Sequence, residues 1–194
     1  GNVTITANVV DITSSGVLTA VNKVTLKALT SGNINVYNQV NGKEIEIQTA
    51  NGNIETNATG TLTATATGGT ITGGATQGNI VLGGSATSNQ KVDVEATAGS
   101  VTLNGAVESV AGEVEVTAKE AVTTNATVKA QTDVTLSSTN GSVTTAEKVT
   151  ATSGNVNVTA QGAVETYKEI YGGTDVTLWS KNANVLAKET VTAE

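Results

Sequence analysis

The side chains in this sequence best suited to acid–base or metal chemistry are carboxylates set two residues apart. Glu44 and Glu46 flank Ile45, Asp93 and Glu95 flank Val94, and Glu113 and Glu115 flank Val114. On a strand that spacing puts both acids of a pair on one face. Paired acids can hydrolyse glycosides or hold Ca²⁺. Neither chemistry finds its usual company here. The chain has no His and no Arg, and aromatics are 2% of it. A solvated outer face is the reading these acids favour. Ca²⁺-binding solenoids carry a Gly-Gly-x-Gly-x-Asp repeat. The pairs Gly68-Gly69, Gly73-Gly74 and Gly83-Gly84 lack its Asp. A polysaccharide lyase needs a base, charge neutralisers and long groove-building loops, and these too are missing. The sequence therefore assigns no catalytic, cofactor-binding or metal-ligating residues, and no enzyme is expected.

Three further features could bind something. Tyr167, Tyr171 and Trp179 lie close in sequence near the C-terminal end, far from Tyr37. Such aromatics could form a contact surface for sugars or protein; stacking on neighbouring coils over corners is the structural alternative. Outward threonines could bind ice if they formed a uniform row. The row reads Thr4, Thr25, Glu46, Thr72, Asp93, Glu115, Thr135, Asn157, Thr177, and charges interrupt it. Sequons for Asn glycosylation occur at Asn2, Asn57, Asn125, Asn140 and Asn157, a number the abundance of Thr explains by chance.

These residues need a scaffold, and the composition limits what it can be. The 194 residues contain no Pro, Cys, Met or Phe, and 21 Gly. The net charge is −7 with all positive charge on Lys. A nucleic-acid partner requires clustered cations to displace phosphate counterions, so none is expected. An anionic membrane surface is disfavoured likewise, and no apolar run approaches the ~18 residues of a spanning helix. With no Cys there are no disulfides and no thiolate metal sites. The sequence starts without a Met or a signal peptide and reads as a mature chain or an excised piece.

Repeats then decide the architecture. Apolar runs begin at Val3, Val24, Ile45, Ile71, Val92, Val114, Val134, Val156 and Val176, a period near 21 broken by one step of 26. A second run follows each, from Ile12 to Val185. A third begins at Val17, Val40, Leu62, a weak Ala86, and then Val107, Val128, Val149, Ile170 and Val191. Within runs, apolar and polar residues alternate, as in Val114-Glu115-Val116, which is strand periodicity. The excess of β-branched Val, Ile and Thr agrees. The prediction is an all-β, single-stranded parallel β-helix: one domain over residues 1–194, about nine coils, three short strands each. Glycines at Gly32, Gly52, Gly78, Gly99, Gly141 and Gly162 stand two residues before the second run and mark a corner, chosen for positive φ or close backbone approach. Glu120 and Ala183 occupy that place in two coils. The long step, Gly60 to Gly74, predicts a longer third strand or a small bulged loop.

The coil sequences GNVNVTAQGAVETYKEIYGGTDVTLWS and DVTLSSTNGSVTTAEKVTATSG resemble the repeats of filamentous-haemagglutinin-type adhesins. The likeness is one of composition and period and covers essentially the whole chain. It implies a secreted bacterial cell-surface protein, a right-handed β-helix (which parallel crossover chirality also favours) and a role as an extracellular shaft. The family's secretion domain carries Asn-Pro motifs, which a chain without Pro lacks. The partners so implied are host or neighbouring-cell glycans or proteins. No capping helix is legible at either end. Bare terminal coils would leave unpaired strand edges, so either the chain continues or copies stack end to end into a filament.

Overall fold

The structure is a computed structural model describing residues 1–194. It is a β-solenoid of nine coils, with no helix. Three parallel sheets of nine strands run its length. Each coil contributes one strand to each sheet, so neighbouring strands in a sheet are always one coil apart. The first sheet runs from Val3–Ala7 to Val176–Ser180, the second from Ile12–Ser14 to Val185–Ala187, and the third from Leu18–Thr19 to Val191–Ala193.

Register follows the apolar columns. Val3 pairs with Val24, Val92 with Val114, Val134 with Val156, and Val156 with Val176. Inward and outward side chains alternate along most strands, so a slip by one residue would turn an inner column out to water. The inner columns merge into one continuous core from Ile12 to Ile170. Where the first sheet meets the corner, the core narrows to Ala28, Ala75, Ala96, Ala118 and Ala160, all buried. A Phe ring has no room there.

One detail differs from the sequence reading, and another decides between its two options for the long step. The third strand of the first coil starts at Leu18, not Val17: Leu18 pairs with Val40, and Val17 is 54% exposed. The long step does not lengthen the third strand, Leu62–Ala64, which keeps three residues. Its extra residues sit in two loops, 57–61 and 65–69. The first is tied by Asn57, whose Oδ1 accepts the Thr59 and Gly60 N–H groups at 3.0 and 2.7 Å. The second turns at Gly68, with φ of 76°, beside Lys43.

The core also buries hydroxyls. Thr124, Thr145 and Thr166 stack in register at the end of the second sheet's strands, and their Oγ1 atoms have no partner. An unpaired buried hydroxyl costs free energy that a methyl of the same shape does not. Thr145→Val is expected to raise stability by about 1 kcal/mol. A urea-denaturation midpoint that falls would contradict this.

Candidate functional site

The outer face of the first sheet holds the carboxylate pairs, and lysines one coil away occupy them. Lys23 lies 2.8 Å from Glu46 and 3.7 Å from Glu44, and Lys27 lies 2.7 Å from Glu46. Lys91 serves three acids: Glu115 at 2.7 Å, Glu113 at 2.9 Å and Asp93 at 3.5 Å. The third sheet repeats the device with Lys129–Glu108 at 3.0 Å, and the turns leading into its strands with Lys148–Glu169 and Lys168–Glu189, both at 2.9 Å. Apart from Lys91–Asp93, which lie on one strand, these pairs tie one coil to the next. Of the six acids in the sequence pairs, Glu95 alone has no lysine.

The ion pairs shift ionisation. Burial opposes the charge on Glu46, but the hydrogen bonds from Lys23 and Lys27 together hold its carboxyl below the ordinary range. The hydrogen bond to Glu115 holds Lys91 well above the usual ammonium range, against burial and with help from Glu113 and Asp93. Lys23 is raised in the same way, chiefly by Glu46. The Glu46 contribution is complete above pH 4.5 and is lost as pH falls through its lower folded-state value. The lysine contributions are complete below pH 10.5 and are lost as pH rises through the higher folded-state values. Stability is thus expected to be flat between these limits and to fall outside them. Lys91→Met should flatten the alkaline limb and lower neutral-pH stability by about 1 kcal/mol or less, since such pairs are partly solvated. Denaturant midpoints measured from pH 3 to 12 check this, and an unchanged alkaline limb would refute it.

The corner glycines act mainly through close approach. Only Gly32 and Gly52 among the six have positive φ, 120° and 155°. At Gly78 and Gly99 a Cβ would overlap the carbonyl of the preceding coil's glycine; at Gly141 it would lie 2.6 Å from the Glu120 carbonyl, and at Gly162 2.6 Å from the Ser142 hydroxyl. Beside these glycines runs a polar column that the sequence reading missed. Asp11 Oδ1 accepts the Asn33 N–H at 2.6 Å. Asn33, Asn53 and Asn79 each accept, through Oδ1, the N–H of the next coil at 2.8 Å, and Ser100 Oγ continues to the Ala121 N–H at 3.2 Å. Side-chain oxygens thus supply acceptors for corner N–H groups. The signal was available as Gly-Asn and Gly-Ser pairs at 32–33, 52–53, 78–79, 99–100 and 141–142.

The aromatic residues are not gathered on one sheet. Trp179, 50% exposed, is on the first sheet, Tyr171 is on the third, and Tyr167 is at the corner between the second and third. Tyr167 donates to Glu165 at 2.9 Å, which raises its phenol pKa, and Lys188 sits over its ring. Among the sequons, Asn2, Asn125 and Asn140 are exposed, while Asn57 and Asn157 are half-buried; Asn125 already donates its Nδ2 to Asn104.

Several concavities mark the outer face. A groove of about 310 Å³ crosses the first sheet from Lys27 to Thr97, over Gln48 and Gly74. Comparison with known protein families, curated proteins and solved structures finds no match for this chain.

Proposed function

We propose that the chain is a stretch of rigid extracellular shaft in a bacterial surface adhesin, a spacer that holds binding regions away from the cell. The observation that carries this reading is the unbroken register of three sheets over nine coils. Each coil is hydrogen-bonded to its neighbours on three sides, so bending requires breaking several ladders at once. Inter-coil lysine–carboxylate pairs add to the same stiffness. Compositional resemblance to filamentous-haemagglutinin-type repeats supports the placement outside the cell. We assign it no enzymatic role. Immunogold labelling of intact producing cells with an antibody to the chain tests the placement. Labelling confined to permeabilised cells would remove it.

A second reading is a self-assembling filament, in which copies stack coil on coil through the same parallel pairing that joins the coils within the chain. Electron microscopy of the purified chain separates the two. Discrete particles, with eight steps of ~4.8 Å giving roughly 38 Å of length, support the shaft. Long fibres support the filament.

A further inference from the structure

The fourth coil carries two adjacent glycines that its fold does not require. Gly73 faces the core, in register with Ile47 and Val94; Gly74 faces out, in register with Gln48 and Glu95. Neither has positive φ. A Cβ at Gly73 would meet only Val94 Cγ1 at 3.9 Å, and one at Gly74 only Gln48 Cγ at 3.8 Å, both ordinary contacts. Most other glycines would collide with backbone if given a Cβ. Glycine weakens a strand interior, and it marks places where a ligand or another chain comes close to the backbone. Gly74 floors the groove described above, whose volume of about 310 Å³ reaches the small end of ligand sites, roughly 300–1,000 Å³.

The lining selects the ligand. Lys27 is held by Glu46 at 2.7 Å, so it offers no free cation. Lys91 is taken by Asp93, Glu113 and Glu115, which leaves the exposed Glu95 as a free acceptor. That negative charge disfavours anions, and one carboxylate is too few for a divalent cation. Gln48 and Thr97 each donate and accept. Leu29, 56% exposed, gives an apolar patch at the rim. A neutral chain with many hydroxyls and an apolar ring face satisfies all of these. The groove spans the second to the fifth coil, three steps of ~4.8 Å or roughly 14 Å. A chain of repeating sugar units laid along the axis would present its hydroxyls to the same outward column in successive coils.

We propose that this groove binds a short stretch of neutral oligosaccharide along the solenoid axis, with Glu95 and Gln48 as its polar contacts and Gly74 as its floor. The site lies within this chain, from the second to the fifth coil, and holds whether the chain serves as shaft or filament. The test is a ¹H–¹⁵N titration of the whole chain with cellotriose, maltotriose and chitotriose, each to about 20 mM, a range that detects millimolar affinity. At least one sugar is expected to shift the amides of Gln48, Gly74 and Glu95. Gly74→Thr, which fills the groove at a position with room for the side chain, should weaken that sugar at least about tenfold while the rest of the spectrum is preserved. Glu95→Gln, on an exposed position, should weaken it several-fold and provides the readout if Gly74→Thr does not fold. No shift with any of the three sugars, shifts located elsewhere, or shifts produced by a Gly-Ser-Gly tripeptide and by none of the sugars would each overturn the proposal.

Discussion

Gly78→Ala is expected to lower unfolding free energy by about 3 kcal/mol, the upper end of ordinary overpacking costs. Gly78 has no positive φ, so alanine meets no conformational barrier there. The cost is steric. The new Cβ would overlap the Gly52 carbonyl of the coil beneath, and the backbone atoms on both sides belong to a hydrogen-bonded corner. Relief requires the two coils to separate, which strains the Asn53–Asn79 bond. Gly73→Ala is the matched control, since its Cβ falls into open space beside Val94. It should leave stability unchanged or raise it by about 0.5 kcal/mol through the gain of strand propensity. Chemical denaturation followed by circular dichroism compares the two. Equal midpoints would mean that the corner yields freely and that close approach is not what selects glycine.

Leu136→Ala should cost about 3 kcal/mol, and Leu178→Ala about 1 kcal/mol or less, although both remove the same atoms. Leu136 is fully buried, with Val116 and Val158 in register on either side. Leu178 occupies the same column in the last coil, where only Val158 flanks it, and it is half-buried. In a stacked array each coil is held by its two neighbours. A mid-rod cavity therefore weakens two interfaces, and one at the end weakens a single interface already open to water. Midpoints that fall equally would show that the ends are as well packed as the middle.

The columns could be read from the sequence because each inward residue repeats in kind: Val92, Val114, Val134 and Val156 are successive rungs of one ladder. The error at Val17 has a simple cause. Val17 and Leu18 are adjacent and both apolar, and alternation alone does not choose between them; pairing with Val40 does. At the corner glycines, positive φ and close backbone approach select the same residue and look identical in one dimension; only Gly32 and Gly52 of the six have positive φ. The lysines beside the acid pairs were invisible for another reason. Lys91 meets Glu113 and Glu115 one full coil later, beyond any local spacing rule. The Asn column was hidden because Asn beside Gly reads first as turn chemistry. The separation of Trp179 from Tyr171 follows from the three-sided coil: eight residues carry the chain around a corner to another face.

Because every rung binds the one before it by the same pattern, the molecule has no privileged middle. Val114 could rest on Val92, or Val134 in its place, and the columns above would continue unchanged. Gene duplication or loss that adds or removes one whole lap leaves the joints intact, whereas inserting or deleting a single residue inside a strand turns its inner side chains outward. Reach is thus a quantity that heredity can adjust in fixed increments without redesigning the material.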